Sequence, residues 1–203
     1  MNLIINCGTG NFLSVANMIN VLGEKCFFGS SVKDIENASK IILPGVGSFD
    51  SGMKAIELAS IKKKIIERVA LENIPILGIC LGMHLLCKSS DEGKLDGLGL
   101  VEARVKKFNF SNNQNFKVPH MGWNIVKTIK TNPLIPINES EQRFYFAHSY
   151  KVEVENPNLT IATTNYGNDF CAVFQKKNIF GVQFHPEKSH SFGLGLVKRF
   201  LEL

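Results

Sequence analysis

The sequence has no apolar run long enough to cross a membrane, no C-x-x-C pair and no H-x-x-x-H pair. The first absence excludes a transmembrane helix, and no membrane association is expected. The second, with an odd count of five cysteines at positions 7, 26, 80, 87 and 171, argues against a disulfide framework and a thiolate zinc site. The third removes the paired helical histidines of many zinc enzymes, so neither a metal nor a cofactor is expected. A reducing cytoplasm suits such unpaired thiols. Residues 1–6 lack a positive start and a long apolar segment, so they read as a first strand rather than a secretory leader. Basic excess is small, net +5 from 23 basic and 18 acidic residues. It gathers only at Lys62-Lys63-Lys64, Lys106-Lys107 and Lys176-Lys177, which reads as solvated faces rather than a nucleic-acid footprint. Gly8-Thr9-Gly10-Asn11 lacks the third glycine of G-x-G-x-x-G, and no acidic residue closes a second strand about twenty residues on, so dinucleotide binding is not expected. There is no repeat, low-complexity tract or linker.

What is present is ordinary soluble-domain material: 203 residues, 44% hydrophobic and 20% charged, enough for one domain over 1–203 with its own core. A strand at 3–7 is followed by apolar residues at helical spacing, Val15, Met18, Ile19 and Leu22. Gly23 closes that helix. Strands are expected at 26–28 and 41–43, helices at 51–59 and 61–72, and a fourth parallel strand at 73–80. This is the opening of an α/β domain with a parallel sheet. Beyond a turn-rich loop at 89–93, short strand-like runs dominate: 101–108, 123–128, 144–147, 159–164, 172–174 and 179–184. A polar turn spans 109–115. A last helix, 192–203, turns Leu194, Val197 and Leu201 inward. The expectation is one three-layer domain, parallel in its first half and more antiparallel in its second.

The chemistry centres on Leu77-Gly78-Ile79-Cys80-Leu81-Gly82. An apolar strand runs into a cysteine flanked by glycines at −2 and +2, and residues 82–88 read as a helix start. A nucleophile at such an elbow is exposed on a sharp turn that small neighbours permit. The positive end of a helix favours a thiolate there, and the Leu81 N–H is placed as one oxyanion donor. The partner base comes from Gly181-Val182-Gln183-Phe184-His185-Pro186-Glu187, read as a strand end. Residues i and i+2 of extended chain share a side, so Glu187 can orient His185. Cys80 alone reads more readily as a core thiol and His185 alone as a structural histidine; together they favour catalysis. Pro44-Gly45-Val46-Gly47 is either a second oxyanion-donor loop at the carboxyl end of a strand or a plain strand-to-helix turn.

These pieces together resemble the class I (triad) glutamine amidotransferases, through Gly78-Ile79-Cys80-Leu81-Gly82 and His185-Pro186-Glu187. Within that class the sequence resembles the glutaminase subunits of imidazole glycerol phosphate synthase. The residues that carry this are Pro44 to Phe49, Pro119-His120-Met121-Gly122-Trp123-Asn124, Phe144 to Tyr150 and Gly181 to Ser189. The resemblance implies a flavodoxin-like, three-layer α/β domain around a mixed, largely parallel sheet. It implies hydrolysis of glutamine through a cysteinyl thioester. The ammonia would pass to a (β/α)8-barrel cyclase subunit, bound as a heterodimer, that makes imidazole glycerol phosphate and AICAR in histidine biosynthesis.

By position, Cys80 would be nucleophile, His185 acid and base, and Glu187 its orienter. Leu81, Val46 and Gly47 would form the oxyanion hole. Gly45, His84, Glu92, His148, Ser149 and Tyr150 would hold glutamine, and Asn11, Trp123 and Asn124 would face the partner. The strand 44–47 is a candidate gate. The sequence departs from the pattern at His84, where glutamine is usual, and at Asn6-Cys7-Gly8, where Asp-Tyr-Gly is usual. Such drift keeps open a paralogue that supplies ammonia to a sugar-amidating synthase of surface glycans or flagellin. The remaining alternatives are a thiol hydrolase and a non-catalytic binding subunit.

Overall fold

The computed structural model describes residues 1–6, 11–110, 116–137 and 141–203. The expected strand end at Cys7, the Gly8-Thr9-Gly10 turn and residues 111–115 of the polar turn lie outside the described residues. The elements run β1 (Asn2–Ile5), α1 (Phe12–Val21), β2 (Cys26–Gly29), α2 (Val32–Asn37), β3 (Lys40–Gly45), α3 (Phe49–Leu58), α4 (Lys62–Ile66), β4 (Ile76–Cys80) and α5 (Leu81–Leu85). They continue with β5 (Ser89–Ser90), β6 (Ala103–Lys107), β7 (His120–Thr128), β8 (Gln142–His148), β9 (Tyr150–Val154), β10 (Thr160–Tyr166), β11 (Asn168–Lys176), β12 (Ile179–Val182) and α6 (His190–Leu201).

The described strands form one mixed sheet. Its main path is β2-β1-β3-β4-β12-β11-β10-β7-β8, with β9, β6 and β5 branching from β11. The five strands from β2 to β12 are parallel. From β11 onward the main path is antiparallel. The last strand in sequence, β12, inserts beside β4 and joins the halves. The architecture is therefore α/β, as the sequence implies.

Alternation explains the layers. In β1, Leu3 and Ile5 face one core and Ile4 the other; in β3, Ile41 and Leu43 oppose Ile42. Both faces are apolar because helices cover both, as a parallel sheet requires. Ile35, Met53, Ile56, Ile61 and Ile65 close one side, and Val15, Ile19, Leu196, Val197 and Phe200 close the other. No helix among the described residues is long and apolar enough to cross a membrane.

Several expectations change. The single helix expected at 61–72 is α4 followed by a π-helical turn, Glu67–Leu71. Ile61, Ile65 and Val69 are all fully buried. Three contacts at strict four-residue spacing drift around a 3.6-residue helix, and the wider π turn keeps them facing the sheet. The helix start at 82–88 is the short α5. The strand at 41–43 runs on through Pro44 and Gly45, so half of the supposed turn is strand. Helix α2 was not anticipated, although its capping box, Ser31 with Asp34, is explicit. Strands β5 and β9 were also not anticipated. Leu194 is only partly buried beside the core that takes Val197 and Leu201.

Candidate active site

Cys80 ends β4 and turns the chain into α5 with φ +53° and ψ −108°. A residue with a side chain reaches this region only under strain, on the order of 1–3 kcal/mol, and persists because its surroundings hold it. Gly45 of β3 lies opposite Cys80 in the sheet. A Cβ on Gly78 would meet the Gly82 carbonyl at 2.7 Å, so the elbow closes only with a glycine there. Cys80 is 7% exposed. It borders a cavity of about 160 Å³ lined by Val46, Gly47, Leu81, His84, Glu92, Ala147, His148, Tyr150, His185 and Lys188. Leu81 is the first residue of α5, where a backbone N–H has no intrahelical acceptor.

β12 runs parallel to β4 with Val182 opposite Ile79. The chain leaving β12 is therefore carried past the sulfur. His185 is not on that strand, although the sequence suggests it. It bridges to Tyr145 of β8, its N–H donating to the Tyr145 carbonyl at 2.8 Å. Glu187 follows in a 3-10 turn, Pro186–Lys188, rather than in extended chain. The contact forms all the same: His185 Nδ1 and Glu187 Oε1 are 2.8 Å apart, with both side chains buried. His185 lines the same cavity as Cys80. Burial alone would lower the basicity of His185. Hydrogen bonds to Cys80 and Glu187, and the negative charge on each, outweigh burial and push its pKa up to about 10. The histidine is thus held protonated between two acceptors, an arrangement suited to giving a proton to a leaving group.

Ser189, fully buried, locks this turn. Its hydroxyl donates to the His185 carbonyl at 2.6 Å and accepts the Tyr145 N–H at 3.0 Å. Ser189→Ala leaves the Tyr145 N–H unpaired and takes one of two donors from the His185 carbonyl, which keeps the Lys188 N–H at 3.0 Å; the expected cost is about 2 kcal/mol. Urea unfolding of the variant checks it; a loss under about 0.5 kcal/mol would mean the hydroxyl is not a clamp.

Of the residues placed around glutamine by resemblance, His84, Glu92, His148 and Tyr150 line the cavity, as do Val46 and Gly47. Gly45 and Ser149 are absent from the wall. Gly45 packs against Leu81 and Gly82, and the Ser149 carbonyl accepts the Phe108 N–H at 3.2 Å. Glu92 is tied to α3, accepting the Phe49 N–H at 2.9 Å. His148 cannot hold glutamine through its ring nitrogens, because both are engaged. Its Nδ1 is 2.7 Å from the Tyr150 carbonyl and its Nε2 is 3.0 Å from His120 Nδ1. His120 Nε2 meets Asn124 Nδ2 at 3.2 Å, and Asn124 Nδ2 also donates to the Asn165 carbonyl at 2.9 Å. A carbonyl at one end and an amide donor at the other fix every proton between them: both histidines are neutral.

Trp123 and Asn124 therefore do not share a face, since neighbours in a strand point oppositely. Trp123 is half-exposed and stacks on His190, while Asn124 turns inward to the histidines. Asn11 accepts the Ser14 hydroxyl at 2.7 Å at the start of α1. Sequence reasoning missed Lys188 and Gln183. The i, i+2 rule used for His185 and Glu187 would have found Gln183 if applied backwards.

Burial holds His84 and His120 at pKa values of about 4 and lowers that of His148 well below its ordinary value. An unfolded chain protonates these groups near 6.5. Their stabilising contribution is thus complete above about pH 6.5 and falls as pH drops towards 4, by about 1.4 kcal/mol per pH unit for each histidine. His185 acts oppositely: its contribution is complete below about pH 6.5 and is lost only as pH rises towards 10. Stability in urea should fall by at least about 2 kcal/mol between pH 7 and pH 5, and by less in His84→Gln. Equal stability at the two pH values would contradict the neutral assignment.

The chain matches the family described as glutamine amidotransferase class-I over residues 3–202. It is 47% identical to imidazole glycerol phosphate synthase subunit HisH 2 of Methanococcus maripaludis, covering 100% of this chain and 99% of that protein. Identity is 41% to the HisH 2 subunit of Pseudomonas aeruginosa, over the full length of both chains. Among solved structures, one described as a glutamine amidotransferase superposes with a TM-score of 0.76 at 17% identity, covering 98% of this chain and 97% of that one. A glutamine amidotransferase from Thermotoga maritima gives 0.64 at 20% identity, with 99% and 80% covered; these two speak for the fold. A strained cysteine elbow beside a buried histidine–glutamate pair, on a fold and sequence shared this widely, places the chain in the class I glutamine amidotransferase family, among the imidazole glycerol phosphate synthase HisH subunits.

Proposed function

We propose that this chain is the glutaminase subunit of imidazole glycerol phosphate synthase, acting with Cys80, His185 and Glu187 in histidine biosynthesis. The observation that carries the residue assignment is the pairing of His185 with Glu187 at 2.8 Å beside Cys80 on its elbow. Cys80 Sγ adds to the side-chain carboxamide carbon of glutamine. The oxyanion is held by the Leu81 N–H and by Val46 or Gly47, each such donor typically supplying about 3 kcal/mol. His185 gives its proton to the nitrogen, the C–N bond breaks, and ammonia leaves a γ-glutamyl thioester. Water then adds, its proton passing to His185. The C–S bond breaks to release glutamate and restore the thiolate. Glu92 and Tyr150 border the substrate, and His148 supplies a fixed wall rather than a hydrogen bond.

Ammonia released into water at neutral pH becomes ammonium, which is no nucleophile. A partner that seals the exit is therefore chemically required, and the cyclase subunit fills that role. Trp123, stacked on His190 at the surface, suits that interface. We read residues 1–203 as one domain, since a single sheet joins both halves. The described cysteines are all free thiols, which supports a reducing cytoplasm. The test is glutamate release by this chain mixed with its organism's histidine-pathway cyclase, with and without the cyclase's ligand. Strong stimulation is expected. No complex and no stimulation would instead support a sugar-amidating synthase as the partner.

A further inference from the structure

We propose that Gln183 is a catalytic residue of this site: its side-chain N–H donates to Cys80 Sγ, and His84 is the positioning residue that holds the amide in the orientation this requires. The inference rests on the glutaminase reading. Gln183 is wholly buried, where an amide is costly unless both of its ends are paired. Its Oε1 lies 2.8 Å from His84 Nε2, and its Nε2 faces Cys80 Sγ at 3.9 Å. The distance suits a donor to a large, soft sulfur that carries charge only during part of the cycle.

The direction of the chain follows from the sulfur. A thiolate only accepts, so the amide must present N–H to it. That leaves Oε1 towards His84, whose Nε2 must then carry the ring proton. His84 is buried and neutral, so it can do this without bringing a charge beside the nucleophile. A flipped amide would set a carbonyl oxygen against the sulfur. The donor steadies the sulfur twice, when it attacks glutamine and when the second tetrahedral intermediate expels it. Charge-assisted hydrogen bonds are the strong ones. This gives His84 a task where the sequence departs from the family's usual glutamine: it orients a second amide behind the nucleophile.

The test is alkylation of the full-length chain by iodoacetamide from pH 6 to pH 10, read at Cys80 by peptide mass spectrometry. Cys87 and Cys171 contribute little, because burial pushes both thiols up, that of Cys171 to about 12. Gln183→Leu should slow alkylation about tenfold at pH 7 and reach the wild-type rate at high pH, where the thiolate is complete in both proteins. His84→Leu should slow it several-fold at pH 7, and His84→Gln, which keeps a donor towards Oε1, should restore it to within about twofold. A wild-type rate at pH 7 in Gln183→Leu, or slowing by one factor at every pH, overturns the proposal, the second outcome marking a packing role only. If Gln183→Leu does not fold, the comparison of His84→Leu with His84→Gln decides. Glutamate release is scored on unalkylated protein from the same preparations, mixed with the cyclase subunit and its ligand. Alkylation as expected without glutamate release would overturn the glutaminase reading and leave the hydrogen bond to sulfur standing.

Discussion

Glu187→Gln should cut glutamine turnover about ten-thousandfold while the protein remains folded. The carboxylate does no chemistry itself. It accepts the His185 Nδ1 proton at 2.8 Å inside the protein, and that fixes which ring nitrogen faces the sulfur. An amide of the same shape can turn its NH2 towards Nδ1. The ring proton then sits on Nε2, pointing at Cys80 as a fixed donor rather than an available base. In a Ser-His-Asp triad the equivalent loss of the carboxylate costs about 10⁴ in turnover. The negative charge of Glu187 is also one of the causes that keep His185 protonated against the pull of burial, so the variant also holds less of its histidine in the proton-donating form. Cys80→Ala should lose at least as much, since no thioester can form. The double variant should be no worse than Cys80→Ala alone, because the three side chains act as a unit. Glutamate release in the presence of the cyclase measures all three. A Glu187→Gln enzyme within a hundredfold of wild type would mean that the pair is structural.

The sequence made the proposed triad legible because each member sits in a short run with few local geometries open to it. Glycines on both sides of Cys80 leave the room that a tight elbow needs. Glu187 lies two residues beyond His185, within reach whether the chain is extended or turned. The parallel half was equally open, since doubly apolar strands such as Ile41-Ile42-Leu43 can only be buried on both faces. What sequence could not give was anything decided by contacts between distant elements. That His185 pairs with Tyr145, rather than ending β12, depends on β8 arriving from about forty residues earlier. The engagement of both ring nitrogens of His148 depends on His120, on a strand paired with β8 from His120 to Val126. Resemblance assigned Asn124 to the partner side with Trp123, whereas strand alternation turns the two side chains to opposite faces of β7. The π turn at Glu67–Leu71 needed knowledge of which sheet face Val69 meets.

Gly82→Ala should be the most destabilising small substitution in the chain's first half. The elbow works because α5 begins in contact with β3. A Cβ on Gly82 would lie 1.7 Å from the Leu43 carbonyl oxygen and 2.8 Å from its carbon. Both partners are backbone, so no side-chain rotation relieves the overlap. Either β3 leaves β4, breaking the register that sets Gly45 opposite Cys80, or α5 lifts and carries the nucleophile with it. A loss of about 4 kcal/mol, at the upper end for single substitutions, would lower Tm by roughly 8–16 °C in a domain of this size. Gly23→Ala is the control. Gly23 has φ +80°, but a Cβ there would meet nothing within 4 Å. Only the conformational cost remains, about 1 kcal/mol or a few degrees of Tm. If the two variants melt together, close approach of α5 and β3 is not what holds the elbow. If Gly82→Ala alone collapses, the strain at Cys80 is sustained by backbone packing, and the glycine two residues after the nucleophile is needed for space.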